Sequence, residues 1–282
     1  MSAFSGVLQP TFAEAVAAAE LIQERRKRDA DLQISRSEAE ALLALDRMQP
    51  ESTSVWREFV AEAIADHVAA AQPAGILTDE KVRWLMDVTA PRGRMESTVA
   101  FEAVIRTMER AHEVPPALSA FTIRQLQAAI INGEGPAIGT RSHFSRTVDA
   151  ADAAQLYRIL VAAGGADGRP VSREEADALF DLHDATARSQ NDTAFNDLFY
   201  RAIANYTLAE SGHALEPRRE ALSPDYVLSA RMRPNAEQAA WLSERIMRDG
   251  KPTLPEFELL LLIGSEPLNT DTSLRKLLES TL

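Results

Sequence analysis

The residues best suited to chemistry in this sequence are oxygen ligands set around two Asp-Gly turns. One reads Ala166-Asp167-Gly168-Arg-Pro-Val171-Ser172-Arg-Glu174-Glu175, the other Asp249-Gly250-Lys-Pro-Thr253-Leu-Pro-Glu256. A calcium EF-hand loop takes oxygen ligands at positions 1, 3, 5, 7, 9 and 12, with glycine at 6. Aligning each turn glycine to that position leaves Asp167 and Glu174 as the carboxylates of one loop and Asp249 and Glu256 as those of the other. Arg245 falls at the first ligand position of the second loop. These four carboxylates are the candidate metal ligands. A pair per loop makes a poor calcium site, so neither a metal nor another cofactor is expected. The turns also have a plain structural role. Glycine adopts the positive φ that ends a helix. Ser35 with Glu38, Ser172 with Glu175 and Thr253 with Glu256 each fit a capping box, which opens the next helix.

Other chemistry finds less footing. Glu109 with His112 and Glu210 with His213 have the E-x-x-H spacing of di-iron bundles, but they fall at non-equivalent places in the chain. Asp177, Asp181 and Asp184, with His183 beside the last, form a carboxylate stripe that reads as a solvated helix face. His67 and His143 have no neighbour at ligand spacing. No P-loop, dinucleotide-binding glycine fingerprint, nucleophile elbow or H-E-x-x-H occurs. The absence of cysteine excludes disulfides, thiolate metal sites and a cysteine nucleophile. No enzyme is expected.

These residues must be carried by helices. Phe12, Val16, Ala19 and Ile22 share one helical face, as do Trp56, Val60, Ala63, Ile64 and Val68, and Leu156, Ile159, Leu160 and Ala163. No convincing strand alternation appears, and glycine and proline gather between the periodic stretches. The fold class is all-α. The 282 residues suggest about two domains.

The pattern is written twice. Ser35–Asp46 and Ser172–His183 agree at seven of twelve positions. Trp56–Ala65 then corresponds to Phe195–Ala204, Glu80, Trp84 and Leu85 to Glu237, Trp241 and Leu242, the Gly93 turn to the Gly250 turn, and Arg124 and Leu126 to Arg275 and Leu277. The collinear order points to a tandem duplication of a roughly six-helix unit with EF-hand-like helix–turn–helix junctions: copy 1 over 8–131, a linker over 132–147, copy 2 over 148–282. Trp84 and Trp241 read as equivalent core anchors. Copy 2 is longer by 18 residues between Ala204 and Trp241 than copy 1 between Ala65 and Trp84, which locates an insertion at 211–234.

The Ala-Asp-Gly turn followed by a Ser/Thr-x-x-Glu helix start, over Leu156–Leu182 and echoed at Asp249–Ile263, resembles the TerB-like domains of the tellurite-resistance family. The resemblance covers about a fifth of the chain and its motif is loose. It implies a helical unit of stress response, membrane-linked complexes or metal sensing, with no enzymatic activity to carry over. The chain lacks a dense acidic cluster at its turns, which departs from a metal sensor.

The insertion holds Arg218, Arg219, Tyr226, Arg231 and Arg233, types favoured at interfaces, and is the expected surface for a protein partner. Its replacement by a Gly/Ser linker is expected to leave the fold intact. The net charge of −12 and pI of about 5.0 speak against an electrostatic grip on nucleic acid. The basic run Arg25–Arg28 suits the end of the first helix. No apolar run reaches the length of a membrane span, and the N-terminus has no signal-peptide pattern, so a cytoplasmic protein without membrane insertion is expected. The reading at this point is a non-enzymatic interaction module of two TerB-like repeats, with a divalent-metal-responsive TerB-like or EF-hand-like stress protein as the alternative.

Overall fold

Side-chain caps open many of the helices, with Asp149, Ser172 and Asn235 each closing a capping box. The structure, a computed structural model, describes residues 33–48, 53–133, 146–212, 214–228, 234–248 and 250–263, with the single positions 20, 22, 24 and 135. Among the described residues there are eleven helices and no β-strand: α1 Arg36–Met48, α2 Ser54–Ala70, α3 Asp79–Thr89, α4 Thr98–Arg110, α5 Pro116–Asn132, α6 Ala150–Ala163, α7 Arg173–Thr186, α8 Thr193–Glu210, α9 Arg218–Ala221, α10 Ala236–Ile246 and α11 Leu254–Ile263. None of the described helices is long and apolar enough to cross a membrane.

The chain divides into two units, 1–111 and 112–282. In unit 1 the most extensive packing joins α2 to α4, and α1 lies against α2 and α3. Val60, Ile64 and Val68 of α2 and Val104, Ile105 and Met108 of α4 are buried, each stabilising the unit by roughly 1.5–3 kcal/mol. Thr53, Thr78 and Ser97 cap α2, α3 and α4 through their hydroxyls.

In unit 2, α5 packs on α7 and α6, α6 on α8, and α11 on α8. The alignment places α5 at the end of copy 1. Its buried Leu118, Ile123, Leu126 and Ile130 nevertheless join the core of unit 2, because its partners are α6 and α7. The boundary between compact units thus precedes the expected linker. The Gly164–Gly168 turn between α6 and α7 folds around the backbone of His112: Ala166 N–H donates to the His112 carbonyl at 3.0 Å, and the Gly168 carbonyl accepts from Arg218 N–H at 3.2 Å.

Positions that the sequence alignment pairs make similar contacts inside each unit. In unit 1, Trp84 Nε1 donates to Glu40 at 2.9 Å, the Arg36 guanidinium lies 5.5 Å over the same ring, and His67 meets it edge-on. In unit 2, Trp241 Nε1 donates to Asp177 at 2.9 Å, Arg173 lies 4.6 Å over the ring, and Tyr206 meets it edge-on. Positions 36, 40, 67 and 84 are those aligned with 173, 177, 206 and 241. At the end of the same helices, Asp46 accepts from Ser97 Oγ and from Trp56 Nε1, while its counterpart His183 meets Thr253 Oγ1.

Asp46 carries a pH signature. Its burial raises the carboxyl pKa above 3.8, and the bonds from Ser97 and Trp56 only partly oppose that shift. A raised folded-state pKa favours the folded protein at low pH. That contribution is fully present below the unfolded value and is lost as pH rises through the folded one. Asp46→Asn should therefore stabilise unit 1 more, relative to the parent, at pH 7 than at pH 4. Urea titrations at both pH values check this, and a relative gain that is larger at pH 4 contradicts it.

Candidate metal centre

The carboxylate stripe on α7 is half-exposed and ion-paired to arginines on and just after α10. Asp177 accepts from Trp241 Nε1 and, at 2.5 Å, from Arg245; Asp181 accepts from Arg245 at 3.0 Å and from Arg248 at 2.8 Å; Asp184 Oδ2 accepts from Arg248 Nε at 2.5 Å. The i, i+4, i+7 spacing that aligns the three aspartates on one side of α7 meets an arginine spacing on and just after α10. The result is an interhelical ion-pair ladder.

One step around α7 the same periodicity turns inward. Ala176, Leu179, Phe180 and His183 are spaced as a core-facing stripe, and all four are buried. The His183 ring stacks on Phe199 of α8 with centroids 4.2 Å apart. Glu256, in the first turn of α11, is fully buried beside it. Thr253 and Glu256 form half of the expected capping box. The Thr253 N–H donates to Glu256 Oε2 at 2.8 Å, but the Thr253 hydroxyl is also turned onto that oxygen, at 2.8 Å, and lies 3.3 Å from His183 Nε2.

This arrangement brings three ligand atoms together. His183 Nδ1 stands 3.8 Å from Asp184 Oδ1 and 3.8 Å from Glu256 Oε1, and the three residues meet within 4.8 Å. His183 Nδ1 and Asp184 Oδ1 have no hydrogen-bond partner although both atoms are buried. Such atoms are costly to leave unsatisfied. Asp184 is the most exposed of the three, with 13% of its side chain reaching solvent, so it marks the way in. Its other oxygen is held by Arg248, the kind of outer contact that fixes a ligating carboxylate.

Of the four expected metal ligands, only Glu256 belongs to this cluster. Asp167 and Glu174 are exposed on the first turn, and Asp249 lies outside the described residues. The sequence pattern places His183 and Asp184 on an expected solvated face. Their only sequence signal was the inward register of His183 on the α7 stripe.

The insertion also differs from expectation. Arg218, expected at a partner surface, is 2% exposed. It pairs with both oxygens of buried Glu175, at 2.9 and 3.1 Å. Its remaining bonds go to the carbonyls of Arg169 at 2.6 Å, Leu160 at 2.8 Å and Pro170. A guanidinium with these bonds has nothing left for a partner. Ala221 and Leu222 are buried beside it. Arg219 is exposed and Tyr226 half-buried, while Arg231 and Arg233 lie outside the described residues.

Comparison of the chain with protein-family models, curated proteins and solved structures finds no match.

Proposed function

We propose that the chain is a duplicated helical protein whose second unit binds a divalent cation through His183, Asp184 and Glu256, acting as a metal-responsive module and not as an enzyme. The observation that carries this reading is the buried, unpartnered Nδ1 of His183 facing two carboxylate oxygens at a separation too long for hydrogen bonding. The matched Trp–carboxylate–Arg contacts at aligned positions support the duplication. A metal-responsive role accords with the TerB-like resemblance, although the ligands are not those of an EF-hand-like loop. The interaction-module reading has less support, because Arg218 is committed to the interior.

A ligand that binds only the folded state stabilises it, by about 2.7 kcal/mol at a hundredfold excess over its Kd. Thermal melts of the full chain with zinc, manganese, calcium or magnesium should show at least one of these ions raising the melting temperature by several degrees. His183→Phe keeps the stack on Phe199 and removes the ligand, so it should abolish the shift. If none of the ions moves the melt, or if the variant responds like the parent, the reading fails.

A further inference from the structure

We infer, resting on the reading above, that the site takes a borderline first-row transition ion rather than calcium or magnesium, through a histidine tautomer that Thr253 dictates. Thr253 Oγ1 has one proton and two neighbours, Glu256 Oε2 at 2.8 Å and His183 Nε2 at 3.3 Å. A carboxylate oxygen only accepts, so the hydroxyl proton goes to Glu256. The hydroxyl oxygen must then accept from His183, which places the imidazole proton on Nε2. Nδ1 is left as a lone pair, directed into the space it shares with Asp184 Oδ1 and Glu256 Oε1.

Three ligand atoms therefore converge, and at 3.8 Å no hydrogen bond bridges His183 Nδ1 to either carboxylate. A metal ion can bridge them, because its bonds to imidazole nitrogen and carboxylate oxygen run about 2.0–2.2 Å. The donor set selects the ion. Neutral imidazole suits zinc, cobalt, nickel, copper and iron. Calcium requires about six to eight oxygens, and magnesium keeps most of its waters. Here the ring of His183 is packed against Phe199 and tilted against Phe195, and Glu256 is fully buried. Among the described residues the cluster offers one imidazole nitrogen and two carboxylates, a donor set short of a calcium shell.

Thr253 is thus a positioning residue. Outer contacts of this kind typically change metal affinity by about 10–100-fold. The test is isothermal calorimetry of the full chain with zinc, cobalt, calcium and magnesium chlorides, using the parent, Thr253→Ser, Thr253→Val and His183→Phe. Zinc and cobalt should bind one per chain, and calcium and magnesium should not bind at millimolar concentration. Thr253→Ser keeps the hydroxyl and should match the parent; Thr253→Val should bind zinc about 10–100-fold more weakly. Nitrogen-15 correlation spectra of the zinc-loaded chain should show His183 metallated at Nδ1 and protonated at Nε2, a signature that a merely structural threonine would not set. Calcium or magnesium binding that His183→Phe or Glu256→Gln removes would keep the proposed function and overturn the transition-metal assignment. Zinc binding through Nε2, or unchanged in Thr253→Val, would overturn the tautomer assignment. Heat from no ion at all would overturn both.

Discussion

Arg218→Met should destabilise unit 2 by about 3–5 kcal/mol, the range for removing one partner of a buried ion pair. Methionine keeps most of the apolar stem, so the loss is that of the guanidinium. Glu175, 1% exposed, would keep the bond from Ser172 N–H at 2.7 Å and lose both bonds from Arg218. The carbonyls of Leu160, Arg169 and Pro170 would lose their donor as well. Companion variants separate the pair from the packing. Glu175→Gln with Arg218→Met leaves no buried charge, and should recover a substantial part of the loss. Urea unfolding followed by Trp241 fluorescence, in a background lacking Trp56 and Trp84, reads the unit directly. A loss below about 1 kcal/mol, the scale of an exposed pair, would show that the arginine is not seated as described. The same observation reverses the expectation that 211–234 can be exchanged for a flexible linker. The exchange removes Arg218 together with Ala221 and Leu222, so unit 2 should lose at least as much stability as in the point variant.

Gly165→Ala should be nearly as damaging. Gly165 has φ +65°, and a Cβ built there would meet the His112 carbonyl oxygen at 2.2 Å. The left-handed conformation alone costs a non-glycine residue roughly 1–2 kcal/mol. The clash is with backbone, which cannot swing aside as a side chain would. Relieving it means breaking the Ala166-to-His112 bond, worth about 1 kcal/mol, and moving the turn off its seat. A loss of about 3 kcal/mol or more is expected. Gly250→Ala is the control within the same unit: its φ is +102° but nothing lies within 4 Å of the added carbon, so it incurs the conformational cost alone. Urea midpoints of the two variants should differ clearly, and equal losses would refute the close approach. Gly168, with φ +61° and Pro217 Cα and Cβ each 3.0 Å from its added carbon, stands between the two. Gly168→Val should therefore destabilise unit 2 as well.

Which features could be read from sequence depends on the range of the interaction that makes them. Helices and their starts are local. The 3.6-residue periodicity located α2 and α6, and Ser35 with Glu38 and Ser172 with Glu175 close the capping boxes their spacing predicts. The limits of such reading show in the same glutamates. Capping explains why Glu175 and Glu256 stand where they do, and accounts for one oxygen of each. The other oxygen of Glu175 meets Arg218, 43 residues on, and that of Glu256 faces His183 of α7 at 3.8 Å. Periodicity says which side of a helix faces inward, not which helix it will face. The aspartate stripe shows the same limit: its spacing is local, whereas its partners lie on and just after α10.

The interhelical ladder fixes a direction. Its contacts climb together, from Asp177 with Trp241 to Asp184 with Arg248, and in unit 1 from Glu40 with Trp84 to Arg47 with Val88, whose carbonyl accepts from Arg47 at 3.0 Å. The joined helices therefore run parallel, and their like dipole ends lie side by side. Two C-termini together present about one unit of negative charge where a single helix presents half. In each unit an arginine sits at that crowded end: Arg47 where α1 and α3 finish, Arg248 where α7 and α10 finish. Each compensating cation contributes about 0.3–1 kcal/mol at low ionic strength, less as salt rises. In unit 2 that same negative end lies beside His183 and Asp184, so the backbone dipoles of α7 and α10 add to the field that draws a cation to them.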